Sequence, residues 1–251
     1  MSSIVVVKCG GSILNQLTDS FFGNMAKMLE NEVFPIVVHG GGPVIQEMLD
    51  QLDVACTFTD GLRTTSAAAM DVVEMVLTGR VNNELTRRFN QAGMQAAGFS
   101  GADARLIQAA PKNFERYGYV GDVTDVNTSF LLAMLGRGIV PIIAPVAIGN
   151  DGSRYNVNAD TAASAIARAT NAERLIFVTD VPGIMQDEKL ISHVSAADME
   201  RLIAQGVIQG GMLPKVKAAV GSLGGGLSDV MIADANQQIS AAGFTGTTVT
   251  K

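Results

Sequence analysis

The sequence predicts an α/β protein: a three-layer sandwich built on a mostly parallel central sheet. Two observations carry that expectation. Short β-branched runs alternate with longer segments whose apolar residues recur every three or four positions, the pattern of successive βαβ units. The strand runs are apolar at every position rather than at alternate ones, as strands covered on both faces must be.

In chain order, a strand is expected over Ile4–Val7, then a helix over Thr18–Glu30 and a strand over Pro35–Val38. Pro43 suits a first helical position, so the next helix is placed over Pro43–Leu52. Ala67–Ala92 reads as one long helix, followed by a strand over Gln95–Gly98. The remaining expectations are helix Ser129–Leu135, strand Val140–Ala144, helix Ala159–Ala169, strand Leu175–Thr179, helices Ala196–Ala204 and Met212–Val220, and strand Asp229–Ala233. Val54–Arg63 and Leu106–Val126 break the alternation and read as hairpins added to the sheet or projecting over its edge, with a strand in Tyr117–Val123. No Pro/Ser/Gly-rich linker divides the chain. A single domain over 1–251 is expected, with an N-terminal lobe to about residue 138 and a C-terminal lobe over about 139–251.

Of 251 residues, 47% are apolar and 17% charged, with a net charge of -6 and no basic block, which disfavours nucleic acid as a partner. The longest apolar runs fall well short of the roughly 20 residues a membrane helix needs. With no basic, long-apolar leader before Ile4, the expected location is the cytoplasm. Cys9 and Cys56 lack redox or zinc spacing and read as free thiols.

Four segments could carry chemistry. Lys8-Cys9-Gly10-Gly11-Ser12 puts a lysine and two glycines at the carboxyl end of the first strand, where ligands bind in open α/β folds. Glycines let backbone N–H groups approach an anion, although a lone lysine there also reads as a solvated one. His39-Gly40-Gly41-Gly42-Pro43 repeats the arrangement at the end of the second strand and just before a helix N-terminus. His39 reads as a packed or hydrogen-bonded residue rather than a base, and His193 as a surface residue. Asn156-Val157-Asn158-Ala159-Asp160 leads a polar face into a helix; capping accounts for Asn158 or Asp160 but not for Asn156. In Gly210-Gly211-Met212-Leu213-Pro214-Lys215-Val216-Lys217, a lysine in the first helical turn opposes the helix dipole and makes sense beside an anion.

In this order, and with Gly61-Leu62-Arg63, VLTGRVNNEL from Val76, GFSGAD from Gly98, IIAPVAI from Ile142, FVTDVPGI from Phe177 and Gly246-Thr247, the segments resemble the amino acid kinase family, and within it its acetylglutamate kinase branch. The resemblance implies ATP-dependent phosphorylation of the side-chain carboxylate of N-acetyl-L-glutamate, without a covalent enzyme intermediate. By that resemblance Lys8 stabilises the transferring phosphoryl group, Lys215 the leaving ADP oxygens, and Asp160 orients both lysines. Gly10, Gly11, Gly41 and Gly42 supply backbone donors, the latter two also touching the substrate. Arg63 and Asn156 hold the α-carboxylate. The nucleotide is expected near Thr179, Asp180, Gly183, Gly210 and Gly211, with Mg2+ carried by the ATP phosphates and no protein metal ligand. The family pattern further implies a homodimer insensitive to arginine, since the first strand starts within three residues of Met1, and the end at Lys251 disfavours aspartokinase-like relatives. Two departures stand out: Val81-Asn82-Asn83 where many relatives have VNK, and Ser100-Gly101-Ala102-Asp103-Ala104 where many have SGKDG.

Overall fold

The computed structural model describes residues 3–209, 212–235 and 244–251. Among these, the central sheet contains β1 (Ser3–Cys9), β2 (Val33–His39), β3 (Ala96–Ser100), β4 (Val140–Ala144), β5 (Arg174–Thr179), β6 (His193–Ser195), β7 (Asp229–Asp234) and β8 (Gly246–Thr250). Their spatial order is β6-β8-β7-β5-β1-β2-β4-β3. All pairings are parallel except β7 with β8. From β1 the chain reaches β2 on one side and β5 on the other. The crevice beyond the carboxyl ends of these three strands is therefore a topological switch point.

The helices are α1 (Asp19–Glu30), α2 (Gly42–Gln51), α3 (Ala67–Glu74), α4 (Asn82–Gln91), α5 (Phe114–Tyr117), α6 (Thr128–Leu135), α7 (Ala159–Ala169), α8 (Ala196–Ala204) and α9 (Met212–Ser222). Alternation along β1 divides the apolar interior in two. Val5, Val7 and Cys9 pack with Phe21, Leu49 and Phe89 from the α1, α2 and α4 side. Val6 instead joins Ile166, Val216 and Leu131 from the α7, α9 and α6 side. Burial on both faces is why the strands read as unbroken apolar runs.

All six expected sheet strands are present, their ends shifted by no more than two residues. Three features differ from expectation. The single helix over Ala67–Ala92 is α3 and α4 joined by a π-helical segment, Met75–Val81, within which the Thr78 hydroxyl donates to the Glu74 carbonyl. Leu106–Val126 is no appendage of the main sheet: Ile107–Pro111 and Gly121–Val126 pair antiparallel in a separate four-stranded sheet with Val146–Ile148 and Arg154–Asn156. Within the expected strand Tyr117–Val123, Tyr117 instead ends the short helix α5, because the Asn113 side chain accepts from Arg116 N and Gly118 turns the chain at φ +66°. Val54–Arg63 does contain a hairpin, Phe58–Thr59 with Leu62–Arg63, closed by Asp60 and Gly61 at φ +51° and +77°. β4, which follows residue 138, lies between β2 and β3 on the first-half side of β1. Among the described residues no helix is long and apolar enough to cross a membrane.

Candidate active site

The turn that follows β1 separates two cavities. One, of about 310 Å³, is lined by Gly11, Ser12, Gly41, Gly42, Arg63 and Asn156 among others. The second, of about 220 Å³, is bordered by Lys8, Gly10, Asp160, Thr179, Asp180 and Lys215. Gly11 and Ser12 belong to both. Residues far apart in sequence thus meet across two backbone turns, at the ends of β1, β2 and β5.

The closeness of those turns is a property of glycine. A Cβ placed on Gly11 would lie 2.7 Å from Gly41 N, 2.8 Å from Gly42 N and 2.9 Å from Gly41 Cα. Gly40 N donates to the Cys9 carbonyl at 2.9 Å and ties one turn to the other. Gly42 opens α2, with Pro43 in its first turn, so the unpaired amides of a helix N-terminus face this corner.

In the larger cavity, Arg63 is 8% exposed and held on several sides. Its Nη1 donates to Gln46 Oε1 at 2.6 Å, its Nη2 donates to the Gly42 carbonyl at 3.2 Å, and its guanidinium lies 4.6 Å from the Phe58 ring centroid. Asn156 Nδ2 donates to Thr65 Oγ1 at 3.1 Å, while Asn158 is the N-cap of α7, its Oδ1 accepting from Asp160 N and Thr161 N. A braced guanidinium with an amide nearby suits a carboxylate.

In the smaller cavity the Lys8 ammonium sits 2.7 Å from Asp160 Oδ1 in an ion pair lying outside hydrogen-bond geometry, so this buried oxygen has no hydrogen-bond donor. The Phe177 ring centroid is 6.0 Å from the same ammonium. Lys215 Nζ donates to Asp180 Oδ1 and to Thr179 Oγ1, both at 2.8 Å. That hydrogen bond holds the Asp180 carboxyl below the usual carboxylate range. Asp160 thus pairs with Lys8 while Lys215 rests on Asp180, the residue that directly follows β5, so only one of the two lysines expected at Asp160 meets it here. Lys217, on the same helix as Lys215, is exposed.

Gly183 is not brought to this cavity. It has φ +138°, and a Cβ there would meet Thr247 Oγ1 at 2.6 Å, so its glycine serves close packing of the segment leading to the Met185–Gln186 and Lys189–Leu190 hairpin against β8. Gly210 and Gly211 lie outside the described residues. The departures at Asn83 and Ala104 are exposed and line neither cavity. Ser12, Gln46 and Phe58 carry parts of the site that sequence reasoning missed. Ser12 follows a flagged glycine pair, but Gln46 and Phe58 carry no local signal.

His39 is wholly buried, and burial pushes its imidazole down to about 4, partly opposed by a hydrogen bond with Gly40. Cys9 is also buried, and burial pushes its thiol up to about 12 against the attraction of Lys8. For His39 the native value is below the unfolded one, so between about pH 6.5 and 4 the unfolded chain binds more protons and native stability falls as pH falls. The loss should reach about 3 kcal/mol near pH 4. Urea melts at pH 7.5 and 4.5 should show His39→Asn losing less stability across that interval than the parent; equal losses would refute this assignment.

Comparison with known proteins places the chain among kinases. An acetylglutamate kinase of Geobacillus thermodenitrificans is 46% identical over 252 residues, covering 100% of this chain and 98% of its own length. One from Halalkalibacterium halodurans is 43% identical over 253 residues, covering 100% and 97%. The crystal structure of smu.665 from Streptococcus mutans superposes with a TM-score of 0.87 at 29% identity over 100% of this chain and 99% of that one. Carbamate kinase from Giardia lamblia, bound to AMP-PNP, shares the fold at a TM-score of 0.73 and 16% identity, each chain covered in full. The model of the amino acid kinase family matches residues 3–234, nearly the whole length, and the chain belongs to that family.

Proposed function

We infer that the protein is an acetylglutamate kinase, transferring the γ-phosphoryl group of ATP to the side-chain carboxylate of N-acetyl-L-glutamate and releasing ADP. The observation that carries the reading is the meeting of the two cavities at Gly11 and Ser12, with a carboxylate-binding pair on one side and two lysines on the other. In this reading the acceptor's α-carboxylate lies on Arg63 and Asn156, and its side-chain carboxylate points toward Gly11. The nucleotide phosphates lie along Lys8 and Lys215, with Thr179 and Asp180 at the end of β5 beside them. The acceptor half of the site then comes from the first half of the chain together with Asn156 and its neighbours, and the nucleotide half joins Lys8, Gly10 and Asp160 to Thr179, Asp180 and Lys215.

A carboxylate oxygen attacks the γ-phosphorus as the bond to the β,γ-bridging oxygen breaks, and ADP departs with the electron pair. The attacking oxygen is already anionic, so no general base is required. The protein's contribution is alignment and compensation of charge on the phosphoryl oxygens. Amides of Gly11, Gly41 and Gly42 and the Lys8 ammonium face the transferred group, and Lys215 faces the departing oxygens. Magnesium would supply charge neutralisation on the phosphates. Asp160 and Asp180, the carboxylates bordering that cavity, each already face a lysine, so the metal is assigned to the phosphates rather than to the protein. A cytoplasmic homodimer is the form proposed.

ADP release measured with MgATP and N-acetylglutamate, glutamate, aspartate, carbamate and UMP tests the assignment. Turnover is expected with N-acetylglutamate, and turnover only with a non-acylated acceptor would overturn it. Arg63→Ala should raise KM for the acylated acceptor about 10- to 100-fold and leave kcat within a few-fold, because the α-carboxylate is held alike before and during transfer. A collapse of kcat at unchanged KM would contradict that role.

A further inference from the structure

Beneath the triple-glycine turn lies a buried polar chain that the phosphoryl-transfer chemistry does not use directly. His39 ends β2 with no exposed surface, and Asn82 opens α4 with 4% of its surface exposed. Asn82 Nδ2 donates to the Ile142 carbonyl of β4 at 2.8 Å and approaches His39 Nε2 at 3.1 Å. The other ring nitrogen, Nδ1, lies 3.0 Å from the Gly40 carbonyl oxygen. Gly98 on β3 leaves the room: a Cβ there would come within 1.8 Å of Asn82 Oδ1. Three strands and a helix therefore converge on the His39–Asn82 pair.

The pattern of donors fixes the ring's state. An amide nitrogen can only donate, so His39 Nε2 must be a bare acceptor, and in a neutral ring the hydrogen then resides on Nδ1. Nδ1–H donates to the Gly40 carbonyl. In a planar trans peptide the C=O and the following N–H point in opposite directions. Holding the Gly40 carbonyl toward the ring thus turns Gly41 N–H away from it. Gly41 N has no backbone partner among the described residues and lies beside the Gly11 Cα, in the wall of the acceptor cavity.

We propose that His39, held in its Nδ1–H form by Asn82, is a positioning residue that aims the Gly41 amide at the transferring phosphoryl group. The proposal rests on the kinase reading above. It explains why a histidine occupies an apolar interior at this point: an apolar residue would fill the space but leave the Gly40–Gly41 peptide free to rotate, and a donor misplaced by about 1 Å can cost about 10²-fold in rate. It also explains Asn82 next to the π-helical segment. The wider turn brings the start of α4 over β2 and β4, where its amide spans both.

The test uses two amide side chains that mimic different ring atoms. His39→Asn places an NH2 near Nδ1 and can still donate to Gly40, whereas His39→Gln reaches the Nε2 position and leaves that carbonyl without a donor. With ATP and N-acetylglutamate, kcat of His39→Asn is expected within about threefold of the parent, and kcat of His39→Gln about 10- to 100-fold lower, both with little change in either KM. Parent-like kcat in His39→Gln, or losses in both variants that simply follow their melting temperatures, would overturn the proposal. A measurement without turnover accompanies it. The chain has two histidines, and long-range ¹H–¹⁵N spectra of the parent at pH 7 should give the buried one a protonated Nδ1 and a bare Nε2. The opposite tautomer would sink the proposal even if the parent is an active kinase. The expected tautomer in a protein inactive toward the acceptor panel would instead overturn the kinase reading alone.

Discussion

Replacing either lysine of the smaller cavity should abolish most turnover while leaving the protein folded. Lys8→Ala and Lys215→Ala are each expected to lower kcat by at least about 10² to 10³, the usual consequence of removing one fixed donor from developing negative charge. Lys217→Ala, a change of the same charge on the same helix, should leave kcat within twofold. Lys215 reaches Thr179 and Asp180 across the cavity, and Lys217 faces water. Neither lysine is buried enough for its loss to threaten the core, since Lys8 and Lys215 keep 16% and 32% of their side-chain surface exposed. Steady-state kinetics with thermal melts decide the matter. A folded Lys215→Ala with near-normal kcat, or a dead Lys217→Ala, would remove the assignment of which lysine meets the nucleotide.

Gly11→Ala should be nearly as damaging, for a reason that involves no charge. The added methyl group would lie under 3 Å from three backbone atoms of Gly41 and Gly42, and backbone cannot rotate aside as a side chain can. The two turns must separate by roughly 1 Å to reach ordinary carbon contact distance. Overpacking of this kind typically costs about 1–3 kcal/mol, so a lower melting temperature is expected together with a loss of about 10² or more in kcat/KM. Gly10→Ala is the control for the fold. Its methyl would find nothing closer than 3.8 Å, so its melting temperature should stay near the parent value. An active Gly11→Ala, or a Gly10→Ala that unfolds, would show that the close approach of the turns is not what the glycine is for.

Much of this site was legible because it is built from backbone turns at strand ends, and such turns leave local marks. Lys8 with Gly10 and Gly11, the glycines after His39, and the polar entrance to α7 each announce themselves within five or six residues. Partnerships that cross the fold do not. Asp160 lies closer in sequence to Asp180 than to Lys8, yet it is Lys8 that α7 brings to it, and nothing local says that Lys215 will settle on Asp180. Gln46 and Phe58 brace Arg63 from a helix and a hairpin whose mutual approach is decided by tertiary packing. The fold shows the same division. Strands buried on both faces were plain as apolar runs, whereas β6 and β8, short and rich in Ser and Thr, resemble loop. Thr247 pairs with Ile232 of β7, and its hydroxyl donates to the Ile191 carbonyl and accepts from Ile184 N, all partners far along the chain. The π-helical segment was invisible because its apolar spacing fits an ordinary helix almost as well.

If the smaller cavity takes the nucleotide, as proposed, its two ion pairs govern how the nucleotide arrives. Each cation there already faces a resident anion, Lys8 with Asp160 and Lys215 with Asp180, so the local charge nearly cancels. The chain as a whole carries -6, a sign that repels polyphosphates at a distance. Long-range attraction therefore contributes little to encounter. Capture depends on contacts made within a few ångströms, after the carboxylates have yielded part of their hold on the lysines. A cleft so arranged is a poor sink for stray small anions and takes a ligand only when it offers several well-placed oxygens at once. The same balance eases departure, because the carboxylates are at hand to reclaim both ammonium groups as the spent nucleotide leaves.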